Sequence, residues 1–311
     1  MSDLSGAFAV VLGGSGFVGS AVAARLAACG ARVRVVARDP GTPAFPAETV
    51  AADLTEPGAV ARVVAGADVV LPLVLYTGGG TWRAAGAQAT DAARVNVDVV
   101  ATAAAAGKTV IAAGSTSQVG ADAPEVITGA EQDRPGTEYD RQKTAAEAAV
   151  LAEGGVSLRL PVVFGPAPAS LDRGVVSAMA RRALAGQPLT VWGSGGMLRD
   201  LVHVDDVAAA FAAAVAHADR LAGRHWLIGS GHGVPVVELF TLIAATVAEQ
   251  TGRPPVPVTS VPPPEHASPM DLRGLVADPS AFTAVTGWRP SRPLADAVAD
   301  TVAGLLGPQG R

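Results

Sequence analysis

Up to residue 160, short apolar runs alternate with segments of helical character, and this alternation constrains the fold more than any other feature. The apolar runs are predicted strands, at residues 7–12, 33–37, 49–52, 68–75, 109–113 and 157–160. The segments between them are predicted helices, at residues 20–28, 57–65, 91–106 and 139–153. Strands that alternate with helices in this way predict an α/β fold with a doubly wound parallel sheet.

The pattern loosens after Pro161. Residues 175–185 and 204–218 are predicted helices, and residues 224–228 are a candidate further strand. Residues 253–269 contain seven prolines, which predicts no regular element there because proline lacks an N–H donor. We therefore predict a larger domain and a smaller C-terminal domain. The larger one comprises residues 1–164 plus about 197–230, and the smaller one about 165–196 plus 231–311.

Composition and charge exclude several classes of protein. Apolar residues make up 49% of the chain and charged residues 16%, which suits a packed core and not a disordered chain. The apolar stretches are interrupted before they reach a membrane-spanning length, and no basic segment marks a secretory signal. A net charge of −5 argues against a nucleic-acid surface. With one cysteine and no metal-ligand spacing among its five histidines, the chain is predicted to be cytoplasmic and metal-free.

A glycine-rich segment, Gly13-Gly14-Ser15-Gly16-Phe17-Val18-Gly19, lies between the first predicted strand and the first predicted helix. It matches G-x-x-G-x-x-G from Gly13 and G-x-G-x-x-G from Gly14. Small residues allow the backbone to approach a pyrophosphate at a helix N-terminus. Glycine is common in this chain, so the position between strand and helix carries the argument. The segment predicts a dinucleotide-binding Rossmann fold, with cofactor contacts from Gly13, Ser15, Gly16, Phe17, Val18 and Gly19.

The end of the second predicted strand indicates which cofactor is preferred. Arg38 follows Ala37 there, and an arginine suits the 2′-phosphate of NADP, whereas Asp39 is a competing candidate for the ribose hydroxyl of NAD. We predict NADP(H). Asp53 and Leu54, after the third strand, are predicted to lie beside the adenine, although Asp53 could equally cap the next helix.

Tyr139 and Lys143 are four residues apart, a spacing that places them on one face of a helix. A nearby ammonium favours the phenolate and is expected to lower the pKa of Tyr139, making it a usable acid or base. Lys143 can also hydrogen-bond the nicotinamide ribose. At the end of the fifth strand, residues 114–120 carry three hydroxyl side chains that would face the same crevice, unless they serve turn formation alone.

Together, the glycine motif, the hydroxyl-rich strand end and Tyr-x-x-x-Lys resemble the short-chain dehydrogenase/reductase superfamily. Residues 199–207, Arg-Asp-Leu-Val-His-Val-Asp-Asp-Val, resemble its extended branch, the NAD-dependent epimerases, dehydratases and reductases of nucleotide sugars. Arg-Leu-Pro at 159–161 and Phe-Gly-Pro at 164–166 fit the same branch. Aligning Val119 with the valine of the family's Val-Tyr-Gly implies Thr116 as the third catalytic residue, beside Tyr139 and Lys143. Since the tyrosine of that triplet is missing here, Ser115 stays possible.

The resemblance extends to a sugar-nucleotide site. Arg199 matches an arginine that commonly binds the diphosphate, although it could equally form a surface salt bridge with Asp200. Asn96 matches an asparagine that shapes the active-site backbone. His203 is expected to orient structure and not to perform chemistry. The remaining implied contacts are Leu73 and Pro161 with the cofactor, and Ser115, Trp82, Arg83 and Val191 with the substrate.

Several reactions share this scaffold, and particular residues discriminate among them. A 4,6-dehydratase of the family would need Asp-Glu where this chain has Ser117-Gln118, and a 3,5-epimerase–reductase would need a cysteine base, whereas Cys29 lies in the first helix. Residues 75–83, 115–120 and 140–143 most resemble the 4-ketoreductases of deoxysugar biosynthesis. The implied function is NADPH-dependent reduction of the C4 ketone of a dTDP-4-keto-6-deoxyhexose. A nucleotide-sugar 4-epimerase and a noncatalytic NADP-binding relative are the alternatives.

The resemblance further implies a homodimer, because the helices that match residues 91–106 and 139–153 often pair across a two-fold axis in the extended branch. Their many alanines would allow close approach of two copies, although small surface residues are also what this alanine-rich composition supplies.

Overall fold

A computed structural model of the chain describes residues 3–76, 89–106, 108–167, 174–265 and 267–307. Within these ranges the strands are β1 Phe8–Leu12, β2 Arg32–Ala37, β3 Glu48–Ala51, β4 Val69–Pro72, β5 Thr109–Ser115, β6 Val126–Ile127, β7 Val156–Leu160, β8 Val162–Phe164, β9 Leu189–Trp192, β10 Leu198–His203, β11 Arg224–Leu227, β12 Gly233–Pro235, β13 Val258–Val261 and β14 Val276–Ala277.

The helices over the same ranges are α1 Phe17–Ala28, α2 Ala59–Val64, α3 Ala89–Ala93, α4 Val99–Ala105, α5 Glu138–Ala152, α6 Val175–Leu184, α7 Val204–Ala216, α8 Ala218–Leu221, α9 Val236–Thr251, α10 Ser280–Thr286 and α11 Leu294–Leu306. A π-helical turn, Arg94–Asp98, joins α3 to α4, and 3₁₀ helices form at Thr116–Val119 and Pro269–Leu272.

Seven parallel strands form the central sheet, in the order β11-β7-β5-β4-β1-β2-β3. The apolar runs of β1 and β4 are buried at every position because both faces of the sheet are covered. Helices α1 and α7 pack on one face, and α2, α4 and α5 pack on the other. The predicted doubly wound parallel sheet is confirmed.

The strand order reverses direction at β1, which lies between β2 and β4. Strands added after β1 first extend the sheet through β2 and β3, and then from the opposite side of β1 through β4. At such a switch point the loops beyond the carboxyl ends of the strands separate and leave a crevice. The sheet therefore predicts a binding site above β1 and β4.

A second apolar cluster, built by α6, α9 and α11 with β9 and β10, is distinct from the clusters that cover the central sheet. Its strands form small separate sheets, in which β10 pairs with β8 and β12, and β13 pairs with β9. The division of the chain into two domains at the boundaries given above stays a prediction.

The structure corrects the expectation for the proline-rich segment. Strand β13 forms at Val258–Val261, where we predicted no regular element, and it pairs in parallel with β9. The four residues between Pro257 and Pro262 contain no proline, so their backbone can join the edge of a small sheet. A proline count over the whole segment does not distinguish this proline-free interval of four residues from its surroundings.

Helix boundaries also differ from the predicted ones by one to three residues, as α1 and α7 show. Helix α1 begins at Phe17, three residues before its predicted start, because Gly16 serves as its N-cap. The predicted helix at 204–218 ends at Ala216, and a separate short helix follows. Across the described ranges, no helix combines the length and the apolar character needed to cross a membrane.

Candidate active site

A cleft of about 1760 Å³ lies above the carboxyl ends of β1, β2, β4, β5 and β7 and extends to the cluster of α6 and α9. This volume exceeds the roughly 300–1,000 Å³ of a pocket for one small ligand, so the cleft has room for a cofactor and a substrate together. Most predicted site residues line it: Gly13, Ser15, Gly16, Phe17, Val18, Arg38, Asp53, Leu54, Leu73, Ser115, Thr116, Tyr139, Lys143, Pro161, Val191 and Arg199. Trp82 and Arg83 lie outside the described residues.

The glycine loop is built on Gly13, Gly16 and Gly19. Gly13 has a φ of +80°, and a Cβ there would lie 2.9 Å from the Leu73 carbonyl oxygen. The N–H of Gly16 donates to the Gly13 carbonyl at 2.9 Å. A Cβ on Gly19 would lie 2.2 Å from that same carbonyl, so only glycine fits where α1 packs against the loop. The geometry thus follows the G-x-x-G-x-x-G spacing, with the N-terminus of α1 available to a phosphate.

Arg38 and Asp53 line one end of the cleft, just after β2 and β3, and both side chains are exposed. Hydrogen bonds from the Thr55 hydroxyl at 2.7 Å and the Thr55 N–H at 2.9 Å lower the pKa of Asp53, and the charge of Arg38 adds to the effect. The alternative that Asp53 caps the next helix is wrong, because Gly58 is the N-cap of α2. These residues, with the glycine loop, fit a dinucleotide cofactor.

Tyr139 and Lys143 lie one turn apart on α5 and reach into the same part of the cleft. The Lys143 Nζ donates to the Ala113 carbonyl of β5 at 2.8 Å, and it lies 5.9 Å from the centroid of the Tyr139 ring. The helix begins here because Thr137 and Asp140 form a reciprocal capping box. The spacing in the sequence therefore brings the predicted pair together.

The electrostatics differ from the expectation for Tyr139. Burial raises its pKa to about 12, the charge of Asp140 acts in the same direction, and the hydrogen bond with Ser115 opposes both. Burial also lowers the pKa of Lys143 to about 8, against the opposing charge of Glu147. The predicted lowering of the tyrosine pKa is thus wrong for the chain alone, because desolvation outweighs an ammonium that donates to Ala113.

Two candidate hydroxyls at the end of β5 have different surroundings. Ser115 hydrogen-bonds Tyr139, and its N–H donates to the Gln118 side chain at 2.7 Å. Thr116 is 5% exposed, and its hydroxyl donates to the Leu160 carbonyl at 3.3 Å. Although both residues line the cleft, the contacts favour Ser115, the alternative that the sequence left open, as the partner of Tyr139.

Asn96, on the π-helical turn, is buried and holds the backbone after β4. Its Oδ1 accepts the Tyr76 N–H at 2.7 Å, and its Nδ2 donates to the Tyr76 carbonyl at 3.3 Å and to Gln142 Oε1 at 2.8 Å. Gln142 and Asp140 were not among the predicted site residues. The Thr-x-x-Asp spacing at 137–140 is a recognisable capping-box signal for the start of α5. The same capping box holds the Asp140 side chain in place.

Arg199, on β10, also lines the cleft. Its guanidinium donates to the backbone carbonyls of Leu198, Arg273 and Asp271 at 3.0, 2.6 and 2.7 Å. The alternative of a salt bridge with Asp200 is wrong, because neighbouring strand residues point to opposite faces. Asp200 is buried and accepts hydrogen bonds from Ser230 and the Ala277 N–H.

His203 and Cys29 contribute to the fold, and neither residue lines the cleft. His203 is the N-cap of α7, and its Nδ1 accepts the Asp205 N–H at 3.2 Å. Cys29 is buried at the C-terminal end of α1, under the helix layer and not in the cleft.

A doubly wound sheet with a glycine cradle at its switch point and a Tyr–Lys pair beside it defines a dinucleotide-dependent enzyme. The profile of the "NAD dependent epimerase/dehydratase family" matches residues 9–229. The chain belongs to this family, whose members act on sugar nucleotides.

Individual relatives agree with this assignment. The chain is 32% identical to the dTDP-6-deoxy-L-talose 4-dehydrogenase (NAD(P)(+)) of Kitasatospora kifunensis, over 93% of this chain and 92% of that one. It is 35% identical to the UDP-glucose 4-epimerase of Mycolicibacterium smegmatis, over 42% of this chain and 38% of that one. Among solved structures, MoeE5 in complex with UDP-glucuronic acid and NAD superposes with a TM-score of 0.81 at 26% identity, covering 96% of this chain and 98% of that one.

Proposed function

We propose that this protein uses NADPH to reduce the C4 ketone of a dTDP-4-keto-6-deoxyhexose in deoxysugar biosynthesis for a natural product. The observation that carries the proposal is the similarity over nearly the whole chain to a dTDP-sugar 4-dehydrogenase. Oxidation of a C4 hydroxyl and reduction of a C4 ketone are the same reaction in opposite directions. The residues that such a reaction needs, Tyr139, Lys143 and Ser115, lie together in the cleft.

The cofactor, when bound, supplies a hydride to the carbonyl carbon. The glycine loop and the N-terminus of α1 hold its pyrophosphate, and Arg38 holds the 2′-phosphate. Lys143 hydrogen-bonds the ribose and positions Tyr139. Tyr139 donates its proton to the C4 oxygen as negative charge develops there, and Ser115 holds the phenol in place.

The other end of the cleft holds the sugar nucleotide in this proposal. Arg199 binds the diphosphate after exchanging some of its bonds to backbone carbonyls, and Val191 lies beside the base. Trp82 and Arg83 stay predicted substrate contacts.

A C4 epimerase is the second candidate, favoured by the similarity to UDP-glucose 4-epimerases. A 4,6-dehydratase fits less well, because Gln118 is fully buried and bound to the Ser115 N–H. A noncatalytic NADP-binding protein fits less well too, since Tyr139 and Lys143 are both present.

Purified protein offered NADPH and a dTDP-4-keto-6-deoxyhexose should consume NADPH in proportion to the ketosugar supplied. Interconversion of UDP-glucose and UDP-galactose without net NADPH consumption would instead establish the epimerase.

Replacing Arg38 by alanine is expected to abolish a preference for NADPH over NADH. A charge-assisted contact with the 2′-phosphate contributes about 1.5–3 kcal/mol, so NADPH affinity should fall by about 10- to 150-fold while NADH affinity holds. Fluorescence titration with NADPH and with NADH measures the two dissociation constants. Asp39→Ala is the matched control at the neighbouring exposed position. A loss of NADH binding in that control, with NADPH unaffected by Arg38→Ala, would reassign the site to NAD.

Ser115→Ala should lower turnover by about 10²-fold, because the phenol that protonates the C4 oxygen would no longer be held in place. Thr116→Val should retain turnover within about threefold, because the Thr116 hydroxyl bonds the Leu160 carbonyl. Steady-state kinetics of the two variants compares them. The reverse ranking would return the role to Thr116.

We further propose a homodimer. Exposed alanines on α5, among them Ala145 and Ala148, give a flat surface that a second copy can approach closely. Light scattering at micromolar concentration should give twice the monomer mass, and a monomer mass at that concentration would refute the dimer.

A further inference from the structure

A buried ion cluster, composed of Arg159 on β7, Glu147 on α5 and Asp133, lies outside the lining of the cleft. Arg159 and Glu147 are 2% and 5% exposed. The Nε of Arg159 donates to both oxygens of Glu147 at 3.2 and 3.0 Å, and its Nη2 also donates to Oε1. Nη1 and Nη2 donate to the two oxygens of Asp133 at 2.8 and 2.7 Å. The guanidinium thus holds two carboxylates at once.

The charges of this cluster do not cancel, because one guanidinium faces two carboxylates. Burial raises the pKa of Glu147, but the hydrogen bonds and charge of Arg159 and the hydrogen bond from Ser157 outweigh it. The pKa of Glu147 therefore lies below its ordinary value, and the carboxylate is charged at neutral pH. The cluster carries one negative charge in excess. A buried charge is costly unless an opposite charge lies nearby.

The Lys143 ammonium is placed to balance that charge. Glu147 follows Lys143 by four residues on α5, so both side chains lie on one face of the helix. Both line one small cavity of about 10 Å³, together with Ala113 and Ser157. The Nζ of Lys143 donates to the Ala113 carbonyl at 2.8 Å. A Cβ on Gly114 would lie 2.9 Å from Glu147 Oε2, so the ammonium and the carboxylate meet consecutive residues of β5.

Other ionisable groups surround Lys143, and they differ in position from Glu147. They are Tyr139 and Asp140 on α5, His225 on β11, and the cleft residues Tyr76, Asp91 and Arg94. The Nδ1 of His225 lies 3.8 Å from Glu147 Oε1 and is charged only when protonated. Strand β5, against which Lys143 packs, contributes no charged side chain. Within the described residues, Lys143 and Glu147 are the titratable groups that line the small cavity.

We propose that the excess negative charge of the buried ion cluster keeps Lys143 in its ammonium form, with Glu147 as the positioning residue that presents this charge. Arg159 keeps Glu147 ionised by binding both of its oxygens, and Asp133 neutralises Arg159, which leaves the charge of Glu147 to Lys143. Burial alone would favour the neutral amine. The catalytic consequence rests on the proposed function, in which the ammonium holds the ribose and positions Tyr139.

The test measures the protonation of Lys143 by NMR, without substrate or cofactor. The chain contains two lysines, Lys108 and Lys143, so protein labelled with ¹³C at the lysine Cε gives two signals, and Lys108→Arg assigns them. The wild-type Lys143 signal should titrate near pH 8. Glu147→Gln retains the size of the side chain and loses its charge. Its midpoint should fall by at least about one pH unit, because an opposite charge nearby raises the pKa of an ammonium by about that much.

Three further variants separate charge from packing. Asp133→Asn removes the other carboxylate, which is farther along the cluster, and should lower the midpoint in the same direction by a smaller amount. Ser157→Ala removes a hydrogen bond to Glu147 and no charge, so its midpoint should stay within about 0.3 units of the wild type. Glu153→Gln makes the same charge change at the exposed end of α5, and screening by solvent should hold its midpoint within about 0.2 units.

A Glu147→Gln midpoint equal to that of the wild type would overturn the role of the cluster and leave the proposed function standing. If Glu147→Gln does not fold, Asp133→Asn decides, and an unchanged midpoint in that variant overturns the role equally. In ketosugar reduction, a one-unit fall of the midpoint should lower kcat/KM of Glu147→Gln at pH 8 by about fivefold. A wild type that reduces no ketosugar would overturn the proposed function, whereas the NMR midpoints test the cluster regardless of that result.

Discussion

Replacing Tyr139 by phenylalanine is expected to lower turnover of the ketosugar by about 10²–10⁴-fold, the usual loss when a positioned proton donor is removed. The C4 oxygen would then gain its negative charge without a donor beside it. NADPH affinity should stay within about threefold, because the ring remains and Lys143, which holds the ribose in the proposed mechanism, is unchanged. Steady-state kinetics and a fluorescence titration measure the two quantities.

The phenylalanine variant retains the ring that packs in the cleft, so a folding defect is not expected. Thermal unfolding of the variant beside the wild type is the control. If Tyr139→Phe reduces the ketosugar at the wild-type rate, this tyrosine is not the proton donor, and the chemistry proposed here is wrong.

Replacing Lys143 by methionine should lower both turnover and NADPH affinity, by about 10²-fold and about 10-fold respectively. The ammonium serves two partners in the proposed mechanism, the ribose and the phenol, whereas Tyr139 serves only the reacting oxygen. Methionine fills the same space without charge. Comparison of the two variants in the same assays separates the roles. A Lys143→Met variant with unchanged cofactor affinity would remove Lys143 from the ribose site.

The pH dependence of kcat/KM provides a second measurement on Lys143. Its pKa is lowered to about 8 by burial, so the ammonium is present below that pH and is lost as the pH rises through it. The wild-type profile should therefore fall above about pH 8, as the positive charge beside the cofactor disappears. In Lys143→Met this decline should be absent, and a decline retained at the same pH would point to another group.

Much of this architecture was predictable from local patterns. The alternation of apolar runs and helical segments predicts the sheet correctly because parallel strands buried on both faces are apolar at every position. The glycine spacing predicts the loop because contacts at Gly13 and Gly19 leave no room for a Cβ. The four-residue interval between Tyr139 and Lys143 predicts their shared face, since it is one helical turn.

What the sequence left open depends on tertiary contacts. The choice between Ser115 and Thr116 turns on which hydroxyl meets Tyr139 and which meets the Leu160 carbonyl of β7, and the two are adjacent in the chain. The pKa of Tyr139 depends on how deeply the fold buries it, which a four-residue motif does not encode. Strand β13 forms because β9, far away in sequence, offers an edge to pair with. Such long-range contacts override local propensity.

Transfer of deuterium from labelled cofactor to the sugar addresses the proposed chemistry at the reacting atom. NADPH carrying deuterium at the transferable C4 position of its nicotinamide is mixed with the protein and a dTDP-4-keto-6-deoxyhexose, and the product is analysed by mass spectrometry and NMR. The proposed reduction predicts one deuterium on C4 of the sugar for each NADPH consumed. Product that carries no deuterium at C4, or epimerised sugar formed without loss of NADPH, would contradict it.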